Sequence, residues 1–310
     1  MSASTGLGLI EVHLLDAFDR CDARPNSPHV KSQRVVSALC DAAGIGPRIG
    51  YEILCDLARP YVSHLQLVDF HGNFGSPDFG PAGPRYTESR LTPLGAGALA
   101  AERGGSGALP IGLINGNSYV DGPRPPLHPE RLVAALRAAA DGANDDAIVD
   151  LVGLPHFPTG CQVDGDVAEF ASGQATELTL EARITPIGDD QLLISHLPPG
   201  SGASEVTSSI AARIDLPSAS RIPRLPVCGV CDDSAGGTET RVFVYLQPGV
   251  DPDAAIAMLR GNTQGIRRTV GIRLDGPLGP LLRSWVTEHG GDDFESRLSL
   301  VEAAIVGRYL

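Results

Sequence analysis

Residues 71–86, His-Gly-Asn-Phe-Gly-Ser-Pro-Asp-Phe-Gly-Pro-Ala-Gly-Pro-Arg-Tyr, hold four glycines and three prolines. Glycine loses the most backbone freedom on ordering, and proline lacks an N–H, so neither a helix nor a strand can run through this stretch. The chain must cross it as a loop, and the loop presents what stands at its end, Arg85 and Tyr86. Before it, apolar residues recur at helical spacing from Val12 to Ala17 and from Val35 to Ala43, separated by the turn-rich stretch Asp22 to Pro28. Gly50 to Arg59 gives a third helical pattern, stopped by Pro60, and Leu65 to Phe70 reads as extended. Three helices followed by a short strand is the order of a helix-turn-helix or winged-helix unit. After the loop, Thr87 to Glu102 is predicted helical, with Leu91, Leu94 and Leu99 on its apolar positions.

Arg103-Gly-Gly-Ser-Gly107 reads as a linker and closes a first unit at residues 1–104. A helix is predicted from Glu130 to Ala140 and strands over Glu177–Ile184, Gln191–Ser195 and Thr240–Leu246, which makes the second unit, 105–265, α+β. The tail from Leu278 to Leu310 reads as helix broken at Gly290-Gly291, within a third segment, 266–310.

Composition narrows the function. The net charge of −13 argues against a protein that coats nucleic acid by bulk attraction. Lys31 is the only lysine, so a local phosphate site must be an arginine constellation, which suits bidentate contacts. The cysteines, Cys21, Cys40, Cys55, Cys161, Cys228 and Cys231, are scattered and expected reduced. Cys228-Gly-Val-Cys231 has half a zinc-site spacing without a second half, and is read as two small apolar residues entering a loop, with no metal expected. No apolar run approaches the ~20 residues of a membrane helix and the N-terminus lacks a basic leader, so a soluble, cytoplasmic protein is expected.

Tyr86 is the candidate for the chemistry, because it stands beside Arg85 at the end of a glycine-rich loop where backbone can approach a ligand closely. A phenol with an ordinary pKa near ~10 needs a neighbouring cation or base to act as a nucleophile. Arg85 supplies that charge and can also stabilise the oxyanions of a phosphate under attack. On the dipeptide alone, a packing tyrosine with a hydrogen-bonded hydroxyl is the commoner outcome.

The wider string decides the matter differently. Leu67-Val-Asp-Phe-His-Gly-Asn-Phe-Gly-Ser-Pro-Asp-Phe79, then Arg85-Tyr-Thr-Glu-Ser-Arg-Leu91, resembles the active-site region of type IIA DNA topoisomerase A subunits, gyrase A and its topoisomerase IV counterpart. Their pattern runs LVDGQGNFGS, an acidic loop, then RYTExRL. Gly8 to His13 is similar to the family's GLKPVH, and Val30 to Val36 to its KKSARVV. Leu113-Ile-Asn-Gly116 resembles LLVNG, Pro155 to Gly160 resembles GPDFPTG, and Leu193 to Pro198 falls at the VTEIP strand. The resemblance covers residues from about 8 to about 290.

It implies a winged-helix, CAP-like DNA-binding domain carrying Tyr86, an α+β tower domain, and a helical remnant where a coiled-coil gate would start. Tyr86 would attack a DNA phosphodiester to form a 5′-phosphotyrosyl link, with Arg85 stabilising the transition state. His13, Lys31 and Arg34 stand at family positions near DNA phosphates, Arg48 lies on the DNA-facing helix, and Val120, or Tyr119, at the intercalating position. The implied partners are double-stranded DNA, a gyrase B-type ATPase/TOPRIM subunit that holds Mg²⁺ and ATP, and a second copy of the chain.

The departures are equally specific. The family's HPHGD is replaced by Ala43-Gly-Ile-Gly-Pro-Arg48, and the arginine pair after VH by Leu14-Leu15. The chain also stops at Leu310, before the family's coiled coil and β-propeller, which sets a modulating, catalytically impaired paralogue beside the enzyme as an alternative. Arg48 and Glu52 replace the serine and aspartate of quinolone-sensitive enzymes. Quinolones are therefore expected not to increase DNA cleavage by this chain; drug-dependent cutting at ordinary concentration refutes this.

Overall fold

A computed structural model describes residues 5–104, 107–116, 124–214, 216, 224–235 and 239–307. The first part runs α1 (Leu9–Arg20), β1 (Val30–Lys31), α2 (Ser32–Ala43), α3 (Pro47–Asp56), β2 (Val68–His71), β3 (Glu88–Leu91) and α4 (Pro93–Glu102). The predicted helices at 12–17, 35–43 and 50–59 correspond to α1, α2 and α3. Each has a local reason to start. Glu11 accepts the Gly8 N–H ahead of α1, and α3 and α4 carry proline in the first turn, where a missing N–H costs no helical bond. In α1, Leu14, Leu15, Ala17 and Phe18 are fully buried, so the Leu14-Leu15 pair is core rather than a stretch of DNA-facing surface stripped of charge.

One expectation fails in this part. Residues 87–102 are not one helix: Glu88–Leu91 form β3, which pairs antiparallel with both β1 and β2. Ser89 and Leu91 face inward while Glu88 and Arg90 are half exposed, a period of two. Pro93 disfavours helix at the residue before it, and the Thr92 hydroxyl accepts the Gly95 N–H to start α4 instead.

Beyond α4 come α5 (Ile111–Asn115), α6 (Pro129–Ala140), α7 (Asp145–Val152), β4 (Gln162–Asp164), α8 (Val167–Ala171) and β5 (Thr176–Glu181). Next are β6 (Arg183–Ile187), β7 (Gln191–Ser195), α9 (Ala203–Ala211), β8 (Val227–Asp232), β9 (Val242–Leu246) and α10 (Pro252–Asn262). The chain closes with β10 (Arg267–Ile272), α11 (Leu278–His289) and α12 (Phe294–Val306). The fold is α+β, with three small antiparallel sheets ordered β1-β3-β2, β10-β5-β4 and β6-β7-β9-β8. The strand foreseen over 177–184 is divided at the buried Ala182, so β5 and β6 join different sheets. Cys228 and Cys231 do not enter a loop: both are exposed, free thiols on β8, an edge strand.

Two buried clusters hold the molecule. One joins residues from Leu7 to Leu180 with those from Val270 to Ile305, and the other joins Ala182 to Ile266 around the four-stranded sheet. The 71–86 loop links them. The Asp78 carboxylate accepts the Ala203 N–H at 3.0 Å and the Ser204 N–H at 2.9 Å, capping α9 from a distant loop. The approach is so close that a Cβ on Gly202 would lie 2.1 Å from Asp78 Oδ1, which reserves that position for glycine. Two free helix N–H groups and the positive end of the helix dipole both favour the carboxylate. Asp78→Ala is expected to lower unfolding stability by about 1 kcal/mol and to speed amide exchange at Ala203 and Ser204. Urea unfolding with hydrogen exchange measures both.

Candidate active site

The loop that carries Tyr86 is fixed from below by backbone. Ser32 and Gln33, at the start of α2, donate their N–H groups to the carbonyls of Thr87 and Pro84, each at 3.0 Å. Beneath them the Ser32 and Ser89 hydroxyls meet at 3.1 Å in a fully buried contact. The register of β1 on β3 sets Lys31 opposite Glu88, two residues after Tyr86. The two arms of the loop are tied together where Ala82 N–H donates to the Asn73 carbonyl.

Tyr51, on α3, holds the loop from the side. Its hydroxyl donates to the Ala82 carbonyl at 2.8 Å and, its proton so engaged, accepts from the buried Thr87 hydroxyl at 3.0 Å. Burial pushes the Tyr51 phenol up to about 12, so this tyrosine stays protonated and structural. Tyr86 contrasts with it. Its side chain is 64% exposed, its N–H is bound by the Gly83 carbonyl at 2.8 Å, and the Arg85 guanidinium lies 4.6 Å from its ring centroid. A stable framework therefore presents one free phenol beside one cation.

The other expected DNA-contact residues are placed unequally. Lys31 and Arg34 flank in sequence the two α2 residues, Ser32 and Gln33, that bind the loop, although the Arg34 guanidinium lies beside the Cys21 thiol. Lys31 is in an ion pair with Glu88 at 2.9 Å, which holds the Glu88 carboxyl below its usual range. Arg34 is exposed and makes no ion pair among the described residues. Arg48 lies in the first turn of α3, one turn before Tyr51, and pairs with Glu52 at 3.1 Å on the open surface. His13 is half-buried on α1, and no described hydrogen bond or ion pair joins it to the loop. Val120 and Tyr119 lie outside the described residues.

Tyr51, Thr87, Asp78 and Arg59 are supports the sequence did not single out. Their partners are distant in the chain, so no local spacing marks them, although Thr87 belongs to the RYTE string. Arg59 follows α3 and donates to the Phe74 carbonyl at 2.8 Å, with Asp56 Oδ1 at 3.4 Å from its guanidinium. Farther along the hairpin, Asp69 receives His29 at 3.0 Å and Arg90 at 2.8 Å, and the His29 ring stacks on His71.

No family model matches the chain, but individual proteins do. It is 26% identical over 294 residues to the A subunit of DNA gyrase from Kosmotoga olearia, covering 84% of this chain and 35% of the relative. Identity to the A subunit of DNA topoisomerase 4 from Haemophilus influenzae is also 26% over 294 residues, covering 83% and 38%. The gyrase A subunit of Mycobacterium tuberculosis is 41% identical over 91 residues, 28% of this chain and 11% of that one. The chain is thus a divergent homologue of the A subunits of DNA gyrase and topoisomerase 4, and it spans about a third of the length of the first two relatives.

Asp56 gives a test of the supporting framework. Burial pushes its carboxyl up to about 6 from an ordinary 3.8, with Arg59 partly opposing. A carboxyl raised in the fold favours the folded state at low pH, and that contribution fades as pH rises from about 4 through about 6. Asp56→Asn should therefore flatten the fall in unfolding free energy over that window, as measured by urea titrations at several pH values.

Proposed function

We propose that this chain is a topoisomerase A-type subunit that cleaves and rejoins DNA through Tyr86. The observation that carries the reading is the exposed Tyr86 phenol with Arg85 against its ring, at the end of a loop braced by α2 and α3. The order α1-β1-α2-α3-β2-β3, with the loop as the connection of the last hairpin, supports a winged-helix domain. The tower of this reading is residues 105–265, a span that includes the four-stranded sheet of the second cluster.

In this reading the Tyr86 oxygen attacks the phosphorus of a backbone phosphodiester. The phenol proton leaves to solvent, the P–O3′ bond breaks, and the departing 3′ oxygen takes up a proton. The product is a 5′-phosphotyrosyl ester and a free 3′-hydroxyl. The reverse attack by that hydroxyl restores the phosphodiester, so no energy source is needed for the cut or the rejoining. Arg85 stabilises the charge on the non-bridging oxygens, and Arg34 contributes to holding the strand.

Mg²⁺ and ATP are assigned to a gyrase B-type ATPase/TOPRIM partner, in a cytoplasmic complex with DNA and a second copy of the chain. Among the described residues no three His, Cys, Asp or Glu side chains converge to hold a metal. No step above passes through one. Among them, too, no helix is long and apolar enough to cross a membrane.

A second reading, a homologue that binds DNA or a topoisomerase and modulates the enzyme without turnover, draws on two ion pairs. Lys31 and Arg48 are both engaged by carboxylates of the same chain, which weakens the cationic surface. Incubation with a gyrase B-type subunit, Mg²⁺ and supercoiled DNA, followed by denaturation, separates the readings. Protein linked to 5′ ends is expected from the wild type and none from Tyr86→Phe, with Arg85→Ala slower by roughly a hundredfold. Equal behaviour of wild type and Tyr86→Phe selects the modulator.

A further inference from the structure

Beside the loop lies a cleft of about 470 Å³ that no step above uses. Its walls include Tyr61, Phe70, Phe74 and Phe79, with Arg59 and the backbone of Gly72 to Ser76. Aromatic residues make up only 5% of this chain, so their collection here is a marked local excess. Phe74 is buried and packs 4.3 Å from the Phe70 ring, which accounts for two of the four as core packing. Phe79 is different. It is 70% exposed, the more so for standing on a turn that is itself rigid. Ser76 N–H donates to the Phe79 carbonyl at 2.8 Å, and Phe79 N–H donates to the Ser76 hydroxyl at 3.2 Å. Gly75 has φ +89°, and a Cβ there would lie 2.7 Å from the Phe79 oxygen, so the turn has little room to collapse.

A large ring held out in water by such a turn is shaped to receive a partner with a flat apolar face. The rest of the cleft specifies polar edges on that partner. Asn73 Oδ1 accepts the Gly75 N–H at 2.7 Å, while its amide nitrogen donates to nothing among the described residues and remains available on an exposed side chain. The Arg59 guanidinium lies 5.9 Å from the Tyr61 ring centroid. A flat face with hydrogen-bonding edges is the chemistry of a nucleobase, and a volume near 470 Å³ is ordinary for a small-ligand site.

Position selects the source of that base. Gly72 lines the cleft and packs against the Tyr86 carbonyl, where a Cβ would lie 3.3 Å away. The cleft therefore borders the backbone of Tyr86, the residue at which the proposed function holds a strand. We infer that the cleft, with Phe79 as its stacking platform, binds an unpaired base of the DNA strand held at Tyr86. This deepens the cleavage reading and rests on it only for where the strand runs. Sequence-tolerant stacking also supplies binding that does not depend on charge, in a chain whose net charge of −13 repels DNA.

The probe is a short single-stranded deoxyoligonucleotide carrying 2-aminopurine, compared with the same oligonucleotide bearing an abasic site. Wild type should quench the 2-aminopurine fluorescence and bind the abasic strand about tenfold more weakly. Phe79→Ala should lose the quenching and no longer discriminate the abasic strand, whereas Phe79→Trp should restore both. The exposure of Phe79 leaves the core intact in each variant. Equal quenching by wild type and Phe79→Ala, or an equal abasic penalty in both, overturns the inference. So does an oligonucleotide that binds neither, or a Phe79→Ala change in sedimentation alone, which would mark the ring as a protein contact. Tyr86→Phe retains the cleft, so the two ideas separate. Stacking without any covalent complex removes only the cleavage reading, and a covalent complex without stacking removes only this inference.

Discussion

The two hydrogen bonds of the Tyr51 hydroxyl set the position of everything proposed for this chain. A 16-residue stretch rich in glycine and proline has no ladder or helix of its own to hold it. Its far end is fixed because a buried phenol on α3 engages Ala82 and Thr87 together, while α2 binds Pro84 and Thr87 through backbone N–H groups. Those contacts hold the backbone on both sides of Tyr86 and leave its ring outside. Two tyrosines thus divide the work by burial alone. One is locked as a neutral donor inside the fold and the other is displayed beside a guanidinium.

The same loop reaches in the other direction to Asp78, whose carboxylate caps α9 in the second buried cluster. That contact joins the second cluster to the segment that ends in Tyr86. The exposed turn between these two anchors presents Phe79 over an aromatic cleft. Loop, helix cap and cleft form one connected piece, in which irregular backbone is held by three separate regular elements in addition to the few hydrogen bonds within the loop itself.

The balance of charge runs against the usual means of holding DNA. Lys31 and Arg48 are paired with Glu88 and Glu52, and such exposed pairs add little to stability while they cancel local positive potential. Arg34 and Arg85 make no ion pair among the described residues, Arg85 within the loop and Arg34 on α2 beside Cys21.

The loop, the helices α1, α2 and α3, and the juxtaposition of Arg85 with Tyr86 are legible in the residues alone, because each is a local property. Glycine, proline and a period of 3.6 act on neighbours in the chain. The string from Leu67 to Leu91 likewise marks a likeness to type IIA topoisomerase A subunits without any geometry, and homologues over more than four-fifths of the chain agree. The misreadings were short and context-dependent. Residues 88–91 became a strand because β1 and β2 offer partners on both sides, and Cys228 and Cys231 entered an edge strand because β9 pairs with the segment that carries them, Cys231 in register with Phe243 and Cys228 at a bulge. Which tyrosine is free, which cations are already neutralised, and that Asp78 caps a helix 125 residues away emerged only from the packed fold. Those outcomes depend on which distant groups meet once the core closes, and burial, the quantity that separates Tyr51 from Tyr86, has no value in an unfolded chain.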